Sequence, residues 1–317
     1  MEKHKGIVIK TTGSWHTVKL DNGTQSDCTI RGKFRMKGIR NTNPIAVGDW
    51  VTVELNPNEE TGVITQLEKR KNYIIRKSTK LSKEAHIIAS NIDQVFVVAT
   101  LSEPATSLMF IDRVLVSAEA YRIPAVLLIN KFDLLTDDQK ELAEAYKYIY
   151  ESVGYKTIAV SATNGYNMNQ VKDLMTNASS VFVGLSGVGK STLVNSLQPG
   201  LNIKIGEISS AHQQGKHTTT FAQMHALDFG GYIIDTPGIR SFGLMEVDKK
   251  EELSHYFPEI FKLSHKCRFN NCTHTHEPGC AVKEAAQNDE IPFTRYENYL
   301  AIMEGDEEEK YRKDIYG

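Results

Sequence analysis

Along residues 1–70, apolar and polar positions alternate in short runs at 5–10, 15–20, 49–54 and 62–66, broken by the turn signals Asp21-Asn22-Gly23, Asn43-Pro44 and Asn56-Pro57. Period-two alternation is the pattern of a strand with one face on a core and the other in water. Several such strands in about 70 residues predict a small β-barrel, with the oligonucleotide-binding OB-fold as first choice. A charged stretch at 69–84 then reads as a linker, and the pattern changes. Near-continuous apolar runs appear at 92–99, 125–129, 157–160, 181–183 and 232–234, as expected of parallel strands buried on both faces. Between them, residues 109–120 and 137–150 repeat apolar positions at i, i+3, i+4 and i+7, a helical period. Strands alternating with helices predict a three-layer α/β domain. After residue 246 the strand signals stop, and helical patterns at 249–256, 278–287 and 293–303 lead to an acidic tail at 304–309. The chain therefore divides into a barrel at 1–70, an α/β domain at 71–246 and a mostly helical module at 247–317.

Composition narrows this picture only locally. The 317 residues carry 37 Lys and Arg against 39 Asp and Glu, a formal net charge of −2, so any nucleic-acid contact has to use a patch rather than the whole surface. Residues 31–40 (RGKFRMKGIR) form such a patch, with basic residues around Phe34 and Met36. Positive charge interleaved with an aromatic suits a groove that follows a phosphate backbone and stacks a base. The first residues lack the apolar core of a signal peptide, and no window approaches a membrane span. A cytoplasmic, monomeric protein without membrane contact is expected.

The strongest chemical signal is Gly184-Leu185-Ser186-Gly187-Val188-Gly189-Lys190-Ser191-Thr192, a G-x-x-x-x-G-K-[ST] loop between an apolar run and a helix start. Its glycines let successive N–H groups point at phosphate oxygens, Lys190 reaches the β- and γ-phosphates, and Ser191 is a Mg²⁺ ligand. The base is read elsewhere. Asn130-Lys131-Phe132-Asp133 follows a predicted strand. A carboxylate at Asp133 accepts the N1–H and N2–H₂ of guanine, a donor pair adenine lacks. The Lys131 stem covers the base, and the Asn130 amide ties this loop to the phosphate loop. Ser161-Ala162, after the next strand, offers a backbone N–H for the guanine O6. Asp235-Thr236-Pro237-Gly238 supplies an aspartate for the Mg²⁺ shell and a Gly238 N–H for the γ-phosphate. Residues 215–220 (GKHTTT) offer hydroxyls for the same ion, Thr219 among them, in a stretch suited to ordering and release.

These pieces resemble the guanine-nucleotide motifs of GTPases, but Asn130 to Asp133 and Ser161-Ala162 precede the phosphate loop, where an ordinary GTPase has them last. A circular permutation keeps the same sheet when the original termini lay close together. It also makes the segment after Gly238 lead straight into the C-terminal module.

In that module Cys267, Cys272, His274 and Cys280 supply three thiolates and one imidazole, the donor set of a closed structural zinc site, with His276 a rival to His274. Zinc is expected to fix a helix-poor knot unable to build its own core. Lys262, His265, Lys266 and Arg268 add a second basic surface, and Cys28 reads as a buried small residue.

Barrel, permuted GTPase and Cys/His module together resemble the RsgA family, also called YjeQ or YloQ, over essentially the whole chain. The resemblance implies GTP hydrolysis with Mg²⁺, one structural Zn²⁺, and action late in maturation of the small ribosomal subunit, whose rRNA the outer modules bind and which stimulates hydrolysis. It also favours His274 as the zinc ligand and matches His217 to the family's proposed catalytic histidine. Ile239 occupies the place of the usual water-orienting glutamine, so His217 is the candidate to hold or deprotonate the water. Gly187 stands where potassium-stimulated GTPases place asparagine, which argues against potassium activation.

Overall fold

A computed structural model describes residues 2–31, 44–55, 61–77, 85–201, 222–235 and 250–305. Five strands build the barrel: β1 (Lys3–Thr12), β2 (Trp15–Leu20), β3 (Gln25–Ile30), β4 (Trp50–Leu55) and β5 (Thr61–Leu67). Their order is β1-β2-β3-β5-β4, closed by β4 on β1, with β3 and β5 parallel and the other pairs antiparallel. Inward positions alternate as the sequence predicts, and Val8, Val18, Leu20, Cys28, Val51, Val53 and Ile64 fill the interior. Strand β3 escaped the hydrophobic pattern because two of its inward positions are Ser26 and Cys28.

The stretch read as a linker contains β6 (Tyr73–Lys77), which pairs with β7 (Ala85–Ser90) in a two-stranded ribbon. Buried Asp49 fastens this ribbon to the barrel: it accepts from Arg70 Nε at 2.6 Å, Arg70 Nη2 at 2.6 Å and Ser90 Oγ at 2.6 Å. The Asn72 side chain bridges onward, exchanging two hydrogen bonds of 2.8 Å with the backbone of Ile92.

The α/β domain follows as β8 (Gln94–Ala99), α1 (Leu108–Tyr121), β9 (Ala125–Ile129), α2 (Asp137–Ser152), β10 (Lys156–Ala159), α3 (Met168–Met175), β11 (Ser179–Val183), α4 (Lys190–Leu197), β12 (Gln223–Ala226) and β13 (Tyr232–Asp235). The sheet order is β10-β9-β8-β11-β13-β12, parallel except for β12. Strand β8 is buried at all its positions because both faces are covered. Val95, Val97 and Ala99 pack with Ile111, Val114 and Leu115 of α1; Phe96 and Val98 pack with Leu193 and Val194 of α4 and Val171 of α3. Each buried Val, Leu, Ile or Phe side chain contributes about 1.5–3 kcal/mol, and this double layer holds the loops at the strand ends.

The barrel is continuous with this sheet. Strand β1 pairs with β12 at Lys10 and Gln223, while Ile7, Val47, Ile74 and Ala89 share a core with Met224 and the α1 side of the domain. Lys19 of β2 also lies over the Tyr232 ring of β13, 5.4 Å from its centroid.

The C-terminal module differs from expectation. Residues Lys250–Tyr256 form a 3₁₀ rather than an α-helix, and they are followed by α5 (Pro258–Ser264), α6 (Ala281–Gln287) and α7 (Phe293–Glu304). Leu253, Phe257, Ile260, Val282, Ala285, Ile291, Tyr296, Tyr299 and Met303 make a core of their own, joined by Val116 of α1. The module is therefore more than a knot around a metal. Arg295, 1% exposed, crosses to the α/β domain: Nη1 donates to Asp112 Oδ1 at 2.7 Å, and Nε and Nη2 donate to Glu259 at 2.8 and 3.1 Å. Asn298 and Tyr150 also donate to Asp112, at 2.6 and 2.9 Å. Burial pushes the Asp112 carboxyl up, and Arg295 with these donors opposes that push. Among the described residues no helix is long and apolar enough to cross a membrane.

Candidate functional site

The phosphate loop leaves the buried end of β11 and turns into α4. Gly187 and Gly189 have φ of 81° and 93°, a conformation that L side chains rarely adopt. Close approach adds a second reason for glycine: a Cβ at Gly184 would stand 2.4 Å from Val98 O, and one at Gly189 2.5 Å from Asn130 Nδ2. Lys190 opens α4 with Nζ folded along the loop, donating to Gly184 O at 2.8 Å and Leu185 O at 2.6 Å. Burial pulls its ammonium down to about 8, so an anionic partner here gains from low dielectric. Thr192 and Ser191 follow on the first turn of α4.

Asn130 closes the link that the sequence anticipated. From the end of β9 its Nδ2 donates to Val188 O at 2.8 Å, joining the two loops across the permutation. Its Oδ1 is buried and finds no hydrogen-bond partner among the described residues. Lys131 takes a left-handed turn, φ 62°, and its Nζ donates to Glu103 O at 2.7 Å; Asp133 sits in the short 3₁₀ turn Phe132–Leu134.

The Asp133 carboxylate is exposed and ready to accept. Hydrogen bonding from Ser161 holds it below the usual carboxylate range against the opposing effect of burial, and Thr163 adds to the lowering. Thr163 Oγ1 donates directly to Asp133 Oδ2 at 3.0 Å. Ser161's own N–H donates to Tyr166 O at 3.1 Å. Phe132 and Tyr166 stack at 5.2 Å beside this corner. Thr163 and Tyr166 were missed because neither residue type marks a nucleotide site by spacing alone.

Asp235 ends β13, and burial raises its carboxyl. Ser191 and Asp235 provide the hydroxyl and carboxylate oxygens that a hard divalent cation takes. His217, Thr219 and Gly238, with residues 32–40 of the basic patch, lie outside the described residues.

The second site is fully described. The ligand atoms of Cys267, Cys272, His274 and Cys280 all lie within 4.8 Å of one another. With Zn–S about 2.3 Å and Zn–N about 2.0–2.1 Å, a tetrahedral ion needs S···S edges of about 3.8 Å and S···N edges of about 3.6 Å. The observed separations are 4.0 Å for Cys267 to Cys280, and 3.5 and 3.6 Å from His274 Nδ1 to Cys267 and Cys280. The group could therefore hold a zinc ion. His276 stays outside it, 2.9 Å from Thr275 Oγ1.

Sequence reasoning missed what supports this loop. Tyr296 and Tyr299 of α7 donate to His274 O at 2.8 Å and Thr273 O at 2.7 Å. Glu277 accepts from Thr273 N at 2.7 Å, Thr273 Oγ1 at 2.6 Å and Thr275 N at 3.0 Å. Burial opposes its charge, but these donors outweigh it and bring the carboxyl to about 2. Lys262, His265, Lys266 and Arg268 are all exposed beside the group, with Arg268 over the Phe269 ring.

The profile described as RsgA GTPase matches residues 67–245, and that of the RsgA N-terminal domain matches residues 5–64. A small ribosomal subunit biogenesis GTPase RsgA of Flavobacterium psychrophilum is 52% identical, covering 98% of this chain and 95% of its own length. The protein of that name from Christiangramia forsetii is 53% identical, covering 98% and 99%. Among solved structures, YjeQ of Thermotoga maritima superposes with a TM-score of 0.79 at 36% identity, covering 96% of this chain and 98% of that one. YloQ, described as a circularly permuted GTPase, gives 0.77 at 28% identity, covering 96% and 95%.

Proposed function

The chain belongs to the RsgA GTPase family, and from that premise we propose that it hydrolyses GTP to time its release from the small ribosomal subunit late in the subunit's maturation. The observation that carries this reading is the Asn130 bond to Val188 O, which joins a guanine-reading loop to a phosphate loop although the two occur in reversed order. In this division residues 71–246 hydrolyse the nucleotide, while residues 1–70 and 247–317 grip rRNA through the basic stretch at 31–40 and the exposed cations around Cys267. A ribosomal partner puts the protein in the cytoplasm.

In the reaction a water oxygen bonds to the γ-phosphorus, the bond from that phosphorus to the β–γ bridging oxygen breaks, and GDP and phosphate leave. Lys190 balances charge that gathers on the β and γ oxygens. The loop from Gly184 to Gly189 donates backbone N–H groups to the phosphates, and Asp133 fixes the base so that the γ-phosphorus is held in line. Mg²⁺, held by Ser191, Thr219 and the shell of Asp235, would neutralise phosphate charge. His217 would hold the attacking water or take its proton.

The test is GTP turnover by the purified protein with and without small subunits, alongside Lys190→Ala. Slow turnover alone and faster turnover with subunits, both lost in the variant, is the expected result. Equal rates with and without subunits would sink the coupling, and equal rates for wild type and variant would sink the enzyme.

A further inference from the structure

Asp133 has one neighbour whose role follows from counting protons. Thr163 Oγ1 lies 3.0 Å from Asp133 Oδ2 and 3.1 Å from Ser161 Oγ, while Asn164 N lies 3.4 Å from Ser161 Oγ. Each hydroxyl owns one proton, and an ionised carboxylate can only accept. The Thr163 proton therefore lies on Asp133. Its oxygen is then left to accept, and the Ser161 hydroxyl, 3.1 Å away, directs its own proton at this threonine–carboxylate pair. Asn164 N–H donates to Ser161 Oγ, so the donors run one way, from Asn164 through the two hydroxyls to Asp133. Ser161 also lies close enough to favour the ionised carboxyl, but the direct hydrogen bond is from Thr163. Such a chain polarises each successive donor, and its last bond ends on a charge, where hydrogen bonds are strongest.

We propose that Thr163 is the positioning residue that sets guanine specificity: its bond to Oδ2 fixes the plane of the Asp133 carboxylate so that the carboxylate meets guanine N1–H and N2–H₂ together. The inference rests on reading this corner as the guanine site. Asp133 sits on an exposed turn, where free rotation about its side-chain bonds would blur a two-point contact. One hydroxyl on Oδ2 restricts that rotation and leaves Oδ1 and the second lone pair of Oδ2 for the base. Thr163 touches neither phosphate nor reacting atoms, so its effect falls on base choice and binding rather than on turnover of bound GTP.

The measurement is equilibrium binding of GDP, of inosine diphosphate, which lacks the 2-amino group, and of ADP, to full-length wild type, Thr163→Val and Thr163→Ser. Valine keeps the shape and removes the proton. With the net value of a charge-assisted bond discounted for exposure, GDP affinity should fall roughly tenfold in Thr163→Val. Inosine diphosphate, with a single contact to lose, should fall by only about threefold, so the preference for the 2-amino group shrinks. Thr163→Ser should bring both back to within about twofold of wild type, because the hydroxyl is what matters. An unchanged ratio of GDP to inosine diphosphate in Thr163→Val, or a serine variant as damaged as the valine one, would overturn the positioning role. A wild type that does not prefer GDP over ADP would instead overturn the reading of the site beneath it.

Discussion

The two outer modules meet the central domain by different physics. The barrel is joined through backbone and apolar contact: β1 extends the sheet at Lys10 and Gln223, and Met224 shares a core with Ile7 and Val47. The C-terminal module is joined largely through buried charge, with Arg295 held between Asp112 of α1 and Glu259 of α5. Apolar contact is non-directional and survives a small slide. A buried ion cluster does not, because a displaced partner leaves an unpaired charge in low dielectric. The barrel's contact at β12, which directly follows the stretch carrying His217 and Thr219, is therefore adjustable, while buried Asp49 and Arg70 fasten the barrel to the ribbon elsewhere. The C-terminal seat is locked to one face of α1.

The chain contains two tryptophans, Trp15 and Trp50, both in the barrel and both about half exposed, so their emission reports the barrel apart from the rest. The largest effect should come from Arg295→Ala, which strands Asp112 and Glu259 and should cost about 3–5 kcal/mol. Urea unfolding followed by far-UV circular dichroism should lose stability, while the tryptophan transition moves little; a matching shift in both signals would mean that the two seats are not independent. Met224→Ala should cost about 2–3 kcal/mol by opening a cavity under the barrel. Here the tryptophan transition should move most, and a shift confined to circular dichroism would break the comparison. The smallest effect belongs to Lys19→Ala, which removes the cation above Tyr232 and should cost about 0.5 kcal/mol. A loss several times larger in the tryptophan transition would show that charge matters at the barrel seat too.

Much of this architecture was legible in the sequence where burial is carried by apolar residues. The run at β8 was visible because every position of the strand is covered, and the phosphate loop because its glycines are demanded by positive φ and close approach. Asn130 was assigned its tie between loops correctly. The features that stayed hidden use polar residues in buried or supporting places. Strand β3 buries serine and cysteine, and Arg295 reads as a solvent-facing residue of α7 although its guanidinium is enclosed by three aromatic rings and two carboxylates. Thr163 and Glu277 act through side-chain hydrogen bonds, which no periodicity records. The expectation of a coreless knot failed for a related reason: α5 is too short to show a helical period, yet with α6 and α7 it encloses a core.

The shared strand β1 also has a history in time. Its first half, from Lys3 to Ile7, pairs with β4, and the barrel can close once β5 ends at Leu67, whereas Lys10 waits for Gln223. The gap from Leu67 to Gln223 is 223 − 67 = 156 residues, which at synthesis rates of 5–20 residues per second is roughly 8–30 s. For that interval the barrel is a nearly finished body with one short open edge. The exposed hydrogen-bonding groups are few and lie at a strand end, so the nascent chain offers other chains little to pair with before β12 arrives to cover it.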